Sequence, residues 1–112
     1  MTRNVRLEGR YDERIMSYTS IIERDAFERG VQTLDANKPG WAQYIHVPSL
    51  HMDDTCFCVL GQLYGRWSDG VSHLRLYPIA SWWGVDAGDD ISFYALQMLW
   101  TNEILARQAL KE

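Results

Sequence analysis

Cysteine is scarce in this chain: Cys56 and Cys58 are the two in 112 residues. A C-x-C pair makes no disulfide framework, so the chain reads as a reduced, intracellular protein. No apolar run approaches the roughly 18 residues of a membrane span. The first residues, MTRNVRLEGR, are charged where a signal peptide needs an apolar segment. The expectation is a cytoplasmic protein with no membrane contact. Basic residues are also in short supply, 11 against 15 acidic, for a net charge of −4. No basic stripe announces nucleic acid, and no acidic run is long enough for a tail or a DNA mimic. Repeats, linkers and low-complexity tracts are lacking, so residues 1–112 read as one domain, with 1–10 as a short strand or loose arm around Val5 and Leu7.

What the chain does have is apolar material: 46% hydrophobic residues and five tryptophans. Its spacing is helical. Tyr11, Ile15, Tyr18 and Ile22 fit a helical stripe. Ser20-Ile21-Ile22-Glu23 is a capping box, with Ser20 as cap and Glu23 reaching back. The helix it opens should bury Ile22, Ala26, Phe27, Gly30, Val31 and Leu34 and expose Glu23, Arg24, Asp25, Glu28, Arg29 and Gln32. Asn37-Lys38-Pro39-Gly40 ends it, with Asn37 tolerating a left-handed cap. Residues 41–53 look irregular, and Pro48 argues against a central strand.

Residues 54–70, DTCFCVLGQLYGRWSDG, organise the rest. Asp53 or Asp54 is placed to cap a helix. Cys56, Val59, Leu60, Leu63 and Trp67 recur at helical spacing as a core stripe. Cys58, Gly61 and Gly65 align on another face. Glycine inside a helix costs about 0.5–1 kcal/mol relative to alanine, so the pair wants a reason, and close approach of a neighbouring helix supplies one. Gly65 alone would also serve as a C-terminal cap. The stretch therefore reads as a packing spine made of Cys58, Gly61, Leu63, Gly65 and Trp67.

Beyond it, a short helix is expected before Tyr77 and another from Pro78, where proline suits a first turn. Asp90 is expected to cap the last helix, from Ile91 to about Leu110. One stripe of that helix is Ile91, Tyr94, Ala95, Met98, Leu105 and Ala109; a second is Phe93, Leu96, Trp100 and Ile104. A helix apolar on both sides is either buried centrally or forms an interface. The fold expected is mainly α, a compact bundle of four to five helices with the irregular segment at 41–53.

The motif Gly40-Trp41, Ile45, Leu50-x-Met52, then Cys-Val-Leu-Gly-Gln-Leu-Tyr-Gly from Cys58 to Gly65, and Gly70, resembles a group of small proteins from actinobacteria and their phages. Weaker similarity continues in Trp83-Gly84-Val85-Asp86 and the last helix. The resemblance implies a bacterial or phage origin and a cytoplasmic setting. It implies no activity. The group's motif has one cysteine, matching Cys58, so Cys56 departs from it.

Catalytic and metal chemistry find little purchase. Cys56 and Cys58 have the wrong spacing for a C-x2-C zinc knuckle. In one helix they would point about 200° apart, with His46, His51 and His73 as the remaining ligand candidates. Cys58 as a nucleophile with His51 or His46 as base meets large apolar flanks, where a buried inert cysteine is usual. Asp53-Asp54 and Asp89-Asp90 are explained by capping. Gly61-x-x-x-Gly65 lacks the Lys-Ser/Thr of a P-loop. No catalytic residue, cofactor or metal is therefore assigned.

Two readings of function remain. Surplus aromatics and an over-apolar last helix point to a non-enzymatic interaction protein. Its partner, another protein or a second copy, would meet Tyr77, Trp82, Trp83, Phe93, Trp100 and Ile104. Trp82 and Trp83 are adjacent, so a helix cannot bury both equally, and one of them with Tyr77 is the candidate for an exposed recognition patch. The alternative is a helix-turn-helix-like nucleic-acid binder, its turn at 66–70 and its second helix offering Ser72, His73 and Arg75. An acidic pI of about 5.3 weighs against it.

Overall fold

A computed structural model describes residues 19–110. The expectations for Val5 and Leu7, and for the stripe of Tyr11, Ile15 and Tyr18, lie outside the described residues. Among the described residues four α-helices follow in order: α1 (Ile21–Asn37), α2 (Val59–Tyr64), α3 (Trp67–Leu74) and α4 (Phe93–Ala109). Three 3-10 turns join them: η1 (Trp41–Tyr44), η2 (Val47–Ser49) and η3 (Ala80–Trp83). Among the described residues there is no strand, only an isolated bridge between Gly88 and Ile91. The mainly α, compact bundle is as expected, with a radius of gyration of 12.9 Å.

The capping box at the start of α1 forms as read. Ser20 Oγ accepts from the Glu23 amide at 3.1 Å and Glu23 Oε1 accepts from the Ser20 amide at 2.8 Å. Glu23 is not on an outer face, however. Its second oxygen accepts from the Ser92 amide at 2.8 Å and from Ser92 Oγ at 3.2 Å. Ser92 Oγ in turn caps α4 by accepting from the Ala95 amide, so Ser92, not Asp90, starts that helix. One carboxylate therefore sits at the N-termini of both long helices. Burial pushes its pKa up, but the hydrogen bonds from Ser20 and Ser92 outweigh that and hold it below the ordinary 4.5. Glu28 is likewise buried rather than exposed, while Ile22 is half-exposed. The rest of the expected stripe, Ala26, Phe27, Gly30, Val31 and Leu34, is buried. The left-handed residue after α1 is Gly40, at φ +81°, not Asn37.

The segment 41–53 is irregular but packed: Trp41, Ala42, Ile45, Leu50 and Met52 are all buried. Buried backbone without a ladder needs other partners, and three glutamines supply them. Gln97 Nε2 donates to the Leu50 carbonyl at 2.7 Å while its Oε1 accepts from the Met52 amide at 2.8 Å. Gln108 Nε2 donates to the Ala42 and Ile45 carbonyls, both at 2.9 Å. Gln62 brackets His46 in the same way, accepting from its amide at 2.7 Å and donating to its carbonyl at 3.2 Å.

The apolar stripe expected to run along one helix from Asp53 or Asp54 to Trp67, ahead of a turn at 66–70, lies on two helices. Gly65, at φ +95°, breaks it, so the cap reading of Gly65 prevails. Asp54 Oδ1 accepts from the Cys56 and Phe57 amides and holds a turn. The cap of α2 is Cys58, whose Sγ accepts from the Gly61 amide at 3.3 Å. Gly61 does mark a close backbone approach. A Cβ there would meet the Cys56 carbonyl at 2.5 Å and the Thr55 oxygen at 2.6 Å. What approaches is the preceding turn, not a neighbouring helix. The glycine between helices is Gly70, where a Cβ would meet Leu60 Cβ of α2 at 2.8 Å. Leu63 and Trp67 are partly buried against the core.

The peptide before Pro78 is cis, and the next helical turn, η3, begins at Ala80. It lies on α1 through two glycines. A Cβ on Gly30 would sit 2.2 Å from the Trp83 carbonyl oxygen, and one on Gly84 would sit 2.6 Å from Phe27 Cα.

The two stripes of α4 are the reverse of an interface arrangement. Trp100 and Ile104, expected to meet a partner, are both 0% exposed. Trp100 packs edge-on against Phe27, with ring centroids at 5.0 Å, and against Trp41 at 5.7 Å. Its Nε1 donates to the Gly84 carbonyl at 2.7 Å. Central burial takes these residues because α1, η1 and η3 all converge on that side of α4. The exposed apolar positions are Tyr94 and Leu105. At the far end, Arg107 bridges the buried Glu103 through Nε at 2.6 Å and Asp35 through NH1 at 2.6 Å. Asp35 also accepts from Trp41 Nε1 at 2.9 Å, which joins α1, η1 and α4.

Candidate functional site

The loop from Leu74 to Gly84 must leave α3 and reach α1 within ten residues, and it turns its apolar side chains in both directions. Leu76 and Ala80 point into the core. Tyr77, Ile79 and Trp82 point out, at 64, 61 and 50% exposure. Of the adjacent pair, Trp83 is the partly buried one, packed against the core, and its Nε1 donates to the Tyr77 carbonyl at 3.0 Å. Of the two adjacent tryptophans Trp82 is the exposed one, in the same loop as the exposed Tyr77.

Trp82 is exposed but not loose. The Arg29 guanidinium lies 3.5 Å from the centre of its ring. Arg29 Nε also donates to the Trp82 carbonyl at 2.8 Å. One α1 side chain thus clamps both the ring and the backbone of the same residue. A cation over a tryptophan face is worth about 0.5–1 kcal/mol at an exposed site, enough to bias one rotamer. The Gly30 contact sets η3 at the right height for this, since Arg29 and Gly30 are neighbours on α1.

Phe93 lies elsewhere. It is half-buried and forms one wall of a cleft of about 140 Å³ between the 52–55 turn, the start of α3 and the 85–93 loop. Trp67, Met52 and Val85 make its other apolar surfaces, and Asp53, Asp54 and Asp86 its polar ones. Trp67 is held there by its Nε1, which donates to the Val85 carbonyl at 2.9 Å, and by its amide, which donates to the Thr55 carbonyl at 2.7 Å. A larger groove of about 360 Å³ adjoins it and shares Asp53 and Phe93, with His51, Tyr94 and Gln97 along its sides. Sequence reasoning placed Asp53 and Asp54 as helix caps and saw no common surface with Asp86. No local signal connects them, because the cleft is made by three separate stretches meeting.

The remaining chemistry is sparse. Cys56 is exposed and Cys58 buried. They diverge because Cys56 lies in the turn and Cys58 caps α2, not because both sit on one helix. Burial pushes the Cys58 thiol up, against the hydrogen bonds that favour its thiolate, which is the wrong direction for a nucleophile. His46 Nδ1 and Ser49 Oγ are 2.7 Å apart, a contact across one 3-10 turn with no third group to orient it. Among the described residues no three His, Cys, Asp or Glu side chains are grouped to hold a metal ion.

The helix pair α2–α3 turns at Gly65–Arg66, so the residues expected in the turn begin α3 instead. Ser72, His73 and Arg75 are exposed, but the His73 ring packs on Tyr64 with centroids 5.1 Å apart. No described helix is long and apolar enough to cross a membrane. No protein-family model, curated protein or solved structure matches this chain.

Proposed function

We propose that this chain is a small, non-enzymatic interaction domain that docks a second protein on Tyr77, Ile79 and Trp82. The observation that carries the reading is Trp82: half its surface is open to water while Arg29 fixes its ring and its carbonyl. A side chain ordered before binding loses less freedom when a partner covers it. Tryptophan and tyrosine are the residue types that dominate binding energy at interface centres. Tyr77 and Ile79 are exposed in the same loop as Trp82, and Arg29 lies over the Trp82 ring. A complementary partner offers an apolar pocket with a carboxylate beside it. The resemblance over residues 40–70 makes an actinobacterial lysate the first source to test.

The experiment compares the wild type with a Tyr77→Ala/Trp82→Ala double variant, each immobilised at equal density, and with sedimentation of both over a wide concentration range. The reading expects one protein to be retained by the wild type and lost from the double variant, with both forms monomeric. Retention unchanged by the double substitution would overturn it. So would wild-type dimers that the double substitution dissolves, which would make the patch a self-interface.

A further inference from the structure

The cleft beside Trp67 shares no residue with the Tyr77–Trp82 patch. Its walls are apolar and partly aromatic, and its charge is of one sign. Asp53, Asp54 and Asp86 all border it, and among the described residues no arginine or lysine pairs with any of them. Asp54 and Asp86 each use one oxygen on local backbone: Asp54 Oδ1 on Cys56 and Phe57, and Asp86 Oδ1 on Ala87 at 2.9 Å. Among the described residues their second oxygens make no hydrogen bond, and the Asp53 carboxylate makes none at all.

We infer that this cleft seats one arginine side chain from a basic segment of a protein partner. Three features select that occupant. The cleft, about 140 Å³, is close to the roughly 150 Å³ of a cavity that takes a benzene, the scale of one side-chain head. Trp67 and Phe93 line it, and aromatic rings are surfaces on which a planar guanidinium stacks. The free carboxylate oxygens accept its fork of N–H groups, and paired N–H···O bonds of this kind are the strong ones. The adjoining groove along His51, Tyr94 and Gln97 gives the flanking backbone of an extended segment somewhere to lie. The acidic net charge of −4 attracts such a segment from a distance.

The test titrates two synthetic peptides, Ac-Gly-Gly-Arg-Gly-Gly-amide and the same peptide with glutamine for arginine, into the 15N-labelled full chain. The readout is the Trp67 indole N–H resonance and the backbone amides of Asp53 and Asp86. The arginine peptide is expected to shift these resonances saturably and the glutamine peptide to leave them unmoved. Asp53→Asn/Asp86→Asn should weaken the arginine peptide at least tenfold, since asparagine keeps the local acceptor of Asp86 but removes its charge. Asp89→Asn/Asp90→Asn removes the same charge from exposed positions outside the cleft and should weaken it less than twofold. Equal weakening by the two pairs would reduce the effect to net charge and overturn the inference. No shift with the arginine peptide, or equal shifts with both peptides, would also overturn it. So would self-association of the wild type that Asp53→Asn/Asp86→Asn dissolves without any peptide response, because the occupant would then be a second copy. None of these results depends on Tyr77 or Trp82, so failure here leaves the interaction patch standing, and the reverse.

Discussion

Glu23 shows how much a single carboxylate can organise. It accepts hydrogen bonds from Ser20 at the start of α1 and from Ser92 at the start of α4. Both positions are favourable for a negative charge, because the free N–H groups of each helix face it. Glu23→Gln should cost about 1–2 kcal/mol at neutral pH, the range for losing a helix cap and charge-assisted bonds. Its acid dependence is the sharper test. The folded-state pKa lies below the ordinary 4.5, so in the acid range the unfolded chain binds the extra proton and stability rises with pH. The contribution is complete above 4.5 and is lost as pH falls through the folded value. Urea unfolding of wild type and variant should therefore show a gap at neutral pH that narrows below pH 4.5; a gap of constant size would refute the assignment. The capping box was legible because it is local, four residues long and standard in type. The bond to Ser92 was not, since 69 residues separate the partners.

The helices themselves were legible where periodicity was long and unbroken. The core stripe of α1 follows from its spacing, and so does the existence of α4. In the stretch 54–70 the apolar spacing runs through a glycine that the backbone uses as a break. Spacing reports which residues face one way; it does not report where φ turns positive. The spine idea survives at Gly61 in altered form, with the 55–56 turn pressed on it. Gly61→Ala would place a Cβ against backbone atoms that have no side-chain freedom to yield. It should destabilise by about 1–3 kcal/mol, the usual cost of overpacking. Cys56→Ser lies on the exposed side of the same turn and should change stability by less than about 0.5 kcal/mol. Thermal unfolding of the two variants together decides the matter: equal melting temperatures would remove the role given to Gly61. The irregularity of 41–53 is legible in its sequence, and its burial is not. Gln62, Gln97 and Gln108 carry that burial, and glutamine on a helix surface carries no sequence mark distinguishing it from a solvated side chain.

Whether α4 is a partner surface or a central strut is settled only by the whole molecule, because both of its faces are apolar in sequence. Packing of α1, η1 and η3 assigns Trp100 to the inside and leaves Trp82 outside, although the two residues look equally available in the chain. Trp100 touches Phe27 of α1 and Trp41 of η1, and its indole N–H holds the Gly84 carbonyl that ends η3. Three separate segments therefore depend on it. Trp100→Ala would open a cavity at their junction and leave the buried Gly84 carbonyl without its donor. Losses of about 3–5 kcal/mol are usual for emptying such a site. That is a large share of the roughly 5–15 kcal/mol that holds a domain of this kind together. Trp82→Ala removes a half-exposed ring and one cation contact and should cost about 1 kcal/mol at most. Equilibrium unfolding in urea reads both. A severe loss for Trp100→Ala beside a mild one for Trp82→Ala separates the residue that builds the fold from the one left free to bind. Comparable losses would mean that Trp82 is itself structural, and the patch would then have no spare tryptophan to offer a partner.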